Sequence, residues 1–160
     1  MSELDTIDLR ILDLLQEQGR LTMTELGERV GLSTSPCSQR VKRLEQMGVI
    51  TGYHAKVDAP SVGRNVLVFV QITLAEKSEQ VFKKVRDELA DIPEVLECHL
   101  VSGSFDYLVK ARLTDMSEYR HLLGSMLKRI PVAAQSNSFV VMEEIKESLA
   151  MVVTRPLRRR

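Results

Sequence analysis

The sequence predicts an α+β protein with a helical N-terminal part and a second part in which strands and helices alternate. Up to residue 48 the apolar residues recur every three or four positions, which is the period of a helix. From residue 66 onward, short runs of β-branched residues alternate with helical patterns. The intervening segment 58–63, DAPSVG, is typical of a linker. We therefore expect a first domain at residues 1–60 with a linker to 65, a second at 66–150, and a basic tail at 151–160.

Three helices are expected in the first domain. The first carries an apolar stripe that ends before Gly19, formed by Leu4, Ile7, Ile11, Leu14 and Leu15. Thr22 and Glu25 have the spacing of a capping box, which opens a second helix, and Gly31 can adopt the left-handed conformation that ends it. Ser33 is placed to cap a third helix, which ends at Gly48. A glycine-containing turn between the second and third of three short helices is typical of a helix-turn-helix.

Residues 49–57 look extended, because β-branched residues surround a central glycine. Such a segment can form a pair of strands that lies as a wing beside the third helix. It can equally be a simple connector between the two domains. The pattern does not decide between a wing and a connector.

Four strands and two helices are expected in the second domain. They are a strand at 66–74, a helix at 78–90, strands at 95–101 and 107–113, a helix at 116–127 and a strand at 139–145. The order βαββαβ is that of the ferredoxin-like fold. Because both helices cover the same face of such a sheet, the other face stays open, and we expect it to pack on a partner chain.

The third helix is the candidate DNA-reading element. The chain has 22 basic and 22 acidic residues, so its bulk charge gives no support to nucleic-acid binding. Residues 1–60 carry seven basic and nine acidic residues, yet three of the basic ones lie within one turn of this helix. Glutamine can pair with adenine, and arginine or lysine with guanine. The residues off the apolar stripe are Thr34, Ser35, Ser38, Gln39, Arg40, Lys42 and Arg43. They can equally form the solvated face of an ordinary three-helix scaffold.

Other classes of site find little support. We expect Cys37 and Cys98 to be buried free thiols, and the three histidines lack the spacing of metal ligands. His99 lies in an apolar strand and is expected to be packed there. No catalytic triad, phosphate loop or metal motif is present in the sequence, so an enzyme is not expected. No apolar run is long enough for a membrane span and the N-terminus lacks a signal peptide, so a cytoplasmic protein is expected.

Several runs of residues carry a resemblance to a known family. They are LSTSPC at 32–37, RVKRLE at 40–45, GVITGY at 48–53, ECHLVSG at 97–103, FDYL at 105–108 and VVMEE at 140–144. In these runs, and over essentially the whole of residues 5–148, the chain resembles the leucine- and asparagine-responsive regulators of the Lrp/AsnC family. The resemblance implies a winged helix-turn-helix that binds double-stranded DNA, followed by a βαββαβ domain of the RAM or ACT-like kind.

The resemblance also implies a function. Members regulate transcription of amino-acid metabolism in the bacterial or archaeal cytoplasm, associated with the nucleoid. They dimerise through their sheets and assemble into tetramers, octamers or larger discs, and an amino-acid effector, leucine or another, changes assembly or DNA affinity. They need no metal or other cofactor. A ligand-sensing oligomerisation module without DNA binding is the alternative.

The effector site that the resemblance implies falls on Leu100, Ser102, Gly103, Ser104, Asp106, Met116 and Val140. An amino acid needs an acceptor for its ammonium group, which Asp106 can supply, and backbone N–H groups for its carboxylate, which Gly103 lets approach closely. Its side chain needs an apolar wall, which Met116, Leu100 and Val140 can form. Each of these residues also has an ordinary structural role open to it, in a turn or in the core.

Overall fold

The structure is a computed structural model that describes residues 4–130 and 132–153. Within these ranges, residues 4–56 with 146–153 form one compact unit and the residues between 57 and 145 form the other. The sequence places residues 146–150 in the second domain, whereas the structure groups them with the first unit. The reason is local: the Gln16 amide exchanges two hydrogen bonds with the Met151 backbone, of 2.7 and 3.1 Å. The basic tail predicted at 151–160 lies outside the described residues from position 154 onward.

Three helices form the first unit: α1 (Thr6–Glu17), α2 (Met23–Val30) and α3 (Thr34–Gln46). The capping box of Thr22 and Glu25 is formed as predicted, with both reciprocal hydrogen bonds. Gly31 has a φ of 75° and ends α2 in the left-handed conformation, also as predicted. Ser33 is the N-cap residue of α3, but its side chain makes no capping hydrogen bond. These local signals therefore determine where the turn between α2 and α3 lies.

A small core holds these helices together. Its fully or nearly fully buried members are Ile11, Leu26, Cys37, Val41 and Leu44. Cys37 is buried as predicted, and burial raises the pKa of its thiol. Three of the five members lie on α3, so the opposite face of that helix is left for solvent or a partner.

Residues 49–57 contain no strand in the part of the chain that the structure describes. The N–H groups of Val49 and Ile50 both donate to the Leu44 carbonyl, which folds the start of the segment back onto the end of α3. Further along, the contacts are made by side chains, such as the Tyr53 hydroxyl with the Glu45 carboxylate at 2.9 Å. A strand pair needs a ladder of backbone hydrogen bonds, and none forms here. Within the described chain the segment therefore forms no pair of strands.

The second unit follows the predicted order. After a 3₁₀ turn at Pro60–Val62 it contains β1 (Val66–Leu74), α4 (Glu79–Ala90), β2 (Val95–Leu100), β3 (Tyr107–Leu113), α5 (Met116–Arg129) and β4 (Ala133–Val140). The four strands form one antiparallel sheet in the order β2-β3-β1-β4. The predicted βαββαβ topology is confirmed.

The prediction for the last strand was wrong. The sequence favours 139–145, whereas β4 spans Ala133–Val140. In the described chain β4 lies at the edge of the sheet and pairs with β1 alone, so the polar residues 135–138 can stay largely uncovered. The pairing ends near the first residues of β1, where the Val141 N–H donates to the Leu67 carbonyl. Beyond residue 141, Val66 is the one residue of β1 that is left to pair with.

The sheet has one covered and one open face. Alternate residues of β1, namely Val68, Val70, Ile72 and Leu74, are buried in a core shared with α4 and α5. On the opposite face, Phe69 is half-buried and pairs across the strands with Phe139, which is 52% exposed. The open face expected from the sequence is therefore present and partly apolar. None of the described helices is both long and apolar enough to cross a membrane.

Of the glycines, Gly27 has the least room for a side chain. A Cβ atom there would lie 2.7 Å from the Leu32 carbonyl oxygen, at the turn that leads into α3. We expect Gly27→Ala to lower the free energy of unfolding by about 1–3 kcal/mol, because backbone must move to relieve the overlap. Gly19→Ala, where the nearest atom is 3.6 Å away, should change it by less than about 0.5 kcal/mol. Urea unfolding followed by circular dichroism compares the two, and equal stability would contradict the tight packing.

Candidate nucleic-acid interface and ligand site

The face of α3 opposite the core is open to solvent. Cys37, Val41 and Leu44 point inward. The exposed residues from the predicted DNA-reading set are Thr34, Ser35, Ser38, Gln39 and Lys42. Because the first three are small, they would let the helix approach another molecule closely, while the longer Gln39 and Lys42 can reach outward. This surface has the shape and chemistry that the major groove of DNA accepts.

Arg40 and Arg43, the other two residues of the predicted set, are engaged by α1. Arg40 Nη1 lies 2.6 Å from Asp5 Oδ2 and 2.8 Å from Asp8 Oδ1. Arg43 Nη2 donates to the other oxygen of Asp8. The Asp8 carboxylate is fully buried. It lies between two guanidinium groups, which compensate its charge. We call this group, Asp5, Asp8, Arg40 and Arg43, the acidic-basic cluster.

The two carboxylates of the cluster also begin α1. The Asp8 N–H donates to Asp5 and the Asp5 N–H donates to Asp8, at 2.9 and 3.0 Å, which forms a capping box. The hydrogen bond from the Asp8 N–H lowers the pKa of Asp5, and Arg40 lowers it further. Sequence analysis missed this role, because the usual capping box has a Glu or Gln at the third helical position. The pair of aspartates three residues apart, just before an apolar stripe, was the available signal.

The cluster changes the charge that α3 presents. Two of its three clustered cations are compensated by α1, whereas Lys42 is exposed and has no ion pair among the residues that the structure describes. Lys42 therefore carries the uncompensated positive charge of the exposed face. The cluster joins residues more than 30 positions apart and fixes α3 against α1.

A second candidate region lies in the loop between β2 and β3. Ser102, Gly103 and Ser104 are exposed there, and Gly103 has a φ of +143°, a conformation that favours glycine. The loop is closed by a hydrogen bond of 2.9 Å from the Val101 N–H to the Asp106 carbonyl. Three of the predicted effector residues thus face solvent together, on a loop with a defined shape.

Asp106 is buried at the base of this loop. Its backbone N–H donates to the Ile72 carbonyl at 2.9 Å, and its Oδ2 accepts the Leu74 N–H at 2.8 Å. Its Oδ1 lies 2.8 Å from Lys77 Nζ. Burial by itself would raise the pKa of Asp106, but the Leu74 N–H and the Lys77 ammonium outweigh it, and the pKa is lowered. The carboxylate is therefore charged at neutral pH and paired with a cation.

The predicted effector residues do not all come together in one chain. Leu100 pairs with Tyr107, which pairs with Ile72, so Leu100 lies at the Asp106 end of the sheet. Val140 instead pairs with Val68, four residues back along β1, roughly 13 Å away at the usual rise per residue.

Met116 follows β3 at the same far end, where Leu113 pairs with Val66. A place in the core was the structural alternative for Met116, but its side chain is 49% exposed. Helix α5 turns Leu122 and Met126 to the core instead. Within a single chain the predicted set is therefore split into two groups at opposite ends of the sheet.

Neither of two surface cavities in the second unit provides an apolar pocket at this loop. The larger, of about 460 Å³, lies on α5 and is lined by Arg120, His121, Gly124, Ser125, Lys128 and Arg129. The smaller, of about 180 Å³, is lined by residues such as Val62, Leu96 and Arg112. No predicted effector residue lines either one, so a site built from that set would need surface from elsewhere.

Two expectations for β2 were wrong. Cys98 is a free cysteine but exposed, and His99 is exposed beside Glu97, with Nε2 3.2 Å from the carboxylate. β2 is the other edge strand of the sheet, so its side chains are covered less than an apolar strand pattern suggests. Among the described residues no group of three or more His, Cys, Asp or Glu could hold a metal ion.

Comparison with known proteins identifies both parts of the chain. Residues 67–151 match the Lrp/AsnC ligand binding domain, and residues 4–51 match a winged helix-turn-helix DNA-binding family. The chain belongs to the Lrp/AsnC family. It is a DNA-binding transcriptional regulator with a ligand-binding domain and is not an enzyme.

Similar proteins span nearly the same length. The leucine-responsive regulatory proteins of Klebsiella pneumoniae and of Escherichia coli K12 are 47% identical over 151 residues, which cover 94% of this chain and 92% of each relative. Among solved structures, a transcriptional regulator of Neisseria meningitidis in complex with L-Met is 36% identical, covers 92% of this chain and 96% of its own, and has a TM-score of 0.86. An AsnC family regulator of Agrobacterium tumefaciens is 34% identical with the same coverage and a TM-score of 0.88. This Lrp/AsnC regulator therefore shares its fold, over 92% of its chain, with these two solved structures.

The acidic-basic cluster leads to a prediction about stability. Asp8→Ala removes a buried carboxylate, leaves Arg40 and Arg43 without that partner, and breaks the capping box of α1. We expect a loss of about 2 kcal/mol, less than for a fully buried pair because both guanidinium groups are partly exposed and can turn to water. Urea unfolding, with hydrogen exchange of the α1 and α3 amides, measures the effect. Asp13→Ala, on an exposed position of α1, is the control, and an equal effect of both substitutions would contradict the role of the cluster.

Proposed function

We propose that this regulator binds double-stranded DNA through the exposed face of α3 and controls genes of amino-acid metabolism. The observation that carries the proposal is the solvent-facing row of small hydroxyl, amide and ammonium side chains on α3, in a chain of the Lrp/AsnC family. Gln39 reads a base edge, and Lys42 contacts a phosphate or a guanine. Thr34, Ser35 and Ser38 allow close approach.

Arg40 and Arg43 contribute to DNA binding differently from the exposed residues of α3. Each donates to the aspartates through one Nη atom, so a further Nη group of each remains for phosphate oxygens. Their main task is to hold α3 at a constant angle to α1. The helix thus meets the groove with its orientation already determined, which lowers the entropy that binding costs.

The effector is an amino acid, most simply leucine or methionine. Close relatives are named for leucine, and the regulator of Neisseria meningitidis was solved with L-Met. In this chain the Asp106 carboxylate accepts the effector's ammonium group, the loop at Gly103 donates N–H groups to its carboxylate, and Leu100 contacts its side chain. Ser102 and Ser104 lie on the same loop and offer hydroxyl groups.

The open face of the sheet and the divided ligand set support an assembly of several copies. The open face of the sheet presents Phe69 and Phe139, and two such faces would bury their apolar residues against each other in a symmetric dimer. Met116 and Val140 lie at the far end of the sheet from Asp106, so a site that uses all the predicted residues takes them from a second chain. We therefore propose dimers that assemble further, to tetramers, octamers or larger forms, with the effector between chains. Such a regulator acts in the cytoplasm, on the nucleoid.

Selection of bound DNA fragments, with and without a panel of amino acids, tests the proposed function. A pseudo-palindromic site whose enrichment changes with one amino acid is the expected result. Failure to enrich any sequence, with or without amino acids, would contradict it.

Two substitutions on α3 separate base recognition from phosphate contact. Gln39→Ala should cost on the order of 1–3 kcal/mol on the selected operator and relax the preference at one base pair. Lys42→Ala should weaken binding to all sequences alike and reduce the salt slope by about 1. Fluorescence anisotropy over a salt series measures both. Lys84→Ala, an equal loss of charge on α4, is the control, and the same slope change there would refute the assignment of Lys42.

One substitution on the open face tests the dimer. Phe139→Glu places a charge in the proposed interface and should convert a species of at least twice the 18.1 kDa chain mass into one of 18.1 kDa at micromolar concentration. Light scattering measures the mass. Leu127→Glu, at an exposed position of α5, should leave it unchanged. A monomeric wild-type protein, or a dimeric Phe139→Glu variant, would contradict the proposal.

A further inference from the structure

Lys77 already occupies the carboxylate that the proposed function assigns to the effector's ammonium group. Its Nζ lies 2.8 Å from Asp106 Oδ1, while Oδ2 accepts the Leu74 N–H at 2.8 Å. Both oxygens of a side chain that is only 9% exposed therefore have a partner before any effector arrives. An effector that uses Asp106 has to displace one of them.

The two partners differ in how easily they can leave. The Leu74 N–H belongs to the last residue of β1, which is buried in the core. Lys77 lies in the short segment between β1 and α4, and its side chain is 55% exposed. Its four-carbon stem can swing into water without disturbing any strand. Oδ1 is therefore the oxygen that solvent, and a ligand, can reach.

The displaced group and the incoming group are chemically equivalent. The ammonium of a lysine and the α-ammonium of a free amino acid carry the same charge and three N–H donors. Neither has an advantage in charge at Oδ1, so binding at this point is an exchange rather than the capture of a free site. A ligand that lacks the ammonium group cannot make that exchange.

We propose that Lys77 is an internal competitor for the effector, a specificity-determining residue of the ligand-binding domain. This inference rests on the proposed function of Asp106. In the empty protein Lys77 compensates the charge of a buried carboxylate, which would otherwise be costly to keep ionised. In the bound protein the effector takes over that task and Lys77 turns to solvent. The result is a lower affinity for amino acids than the same site would have without Lys77, so that the regulator responds at a higher effector concentration.

Titration calorimetry on the full chain tests the competition. The probes are L-leucine, L-methionine, and 4-methylpentanoate, which is leucine without its amino group. Lys77→Met should tighten binding of both amino acids by about twofold to fivefold, the range for loss of a partly exposed ion pair. Lys77→Arg keeps the competing charge and should bind them as the wild type does. No variant should change the affinity for 4-methylpentanoate, whose binding does not involve the exchange.

A matched control is available on α4. Lys83 also forms an ion pair with an aspartate, Asp87, at 2.8 Å, and Lys83→Met makes the same chemical change away from the site. It should leave the affinity for both amino acids unchanged. Thermal unfolding checks that each variant is folded, and Lys77→Gln replaces Lys77→Met if that variant is not.

The outcomes distinguish the inference from the function on which it rests. Unchanged or weaker binding of the amino acids by Lys77→Met overturns the competition and leaves amino-acid binding intact. An equal gain for 4-methylpentanoate also overturns it, because the effect would not involve the ammonium group. Absence of binding heat for both amino acids, in the wild type and in every variant, overturns the proposed effector function and the competition together.

Discussion

Strand β1 is the element on which the second unit depends, because it pairs along its length with β3 on one side and β4 on the other. Its alternate residues build the core beneath α4 and α5, and the residues between them form the open face. Its first residues decide where β4 ends. Its last residues hold Asp106 in two ways, through the Ile72 carbonyl and the Leu74 N–H. A single strand thus determines the core, the open face of the sheet and the position of the carboxylate that we propose for the effector.

The first unit depends on charge in a comparable way. A chain with no net charge, and a helical domain with more acidic than basic residues, has to bind a polyanion through local arrangement. Here the carboxylates of Asp5 and Asp8 form ion pairs with Arg40 and Arg43 and cap the start of α1. Acidic side chains that would otherwise oppose DNA are thereby neutralised. The exposed face of α3 is left with small polar groups and Lys42, which suits close contact with a groove more than broad electrostatic attraction.

Two features leave the ligand site of a single chain incomplete. Lys77 pairs with Asp106, and the predicted ligand residues lie at opposite ends of the sheet. Neither the carboxylate nor the apolar residues of one chain form a site that is ready to capture an amino acid. If the effector binds as we propose, contact with a second chain and displacement of Lys77 are both required, so that occupancy of the site depends on assembly as well as on effector concentration.

The sequence by itself determined the parts of the structure that depend on neighbours along the chain. The capping box of Thr22, the left-handed Gly31, the βαββαβ order and the exposed side of α3 were all predicted, because each follows from a local period or a single backbone conformation. Only the tertiary structure decided which distant side chains meet. In the tertiary structure Arg43 pairs with Asp8, and polar residues form β4 at the edge of the sheet. His99 is exposed, and Met116 lies at the opposite end of the sheet from Asp106. Such pairings depend on how whole elements pack, and residue spacing within one element carries no information about them.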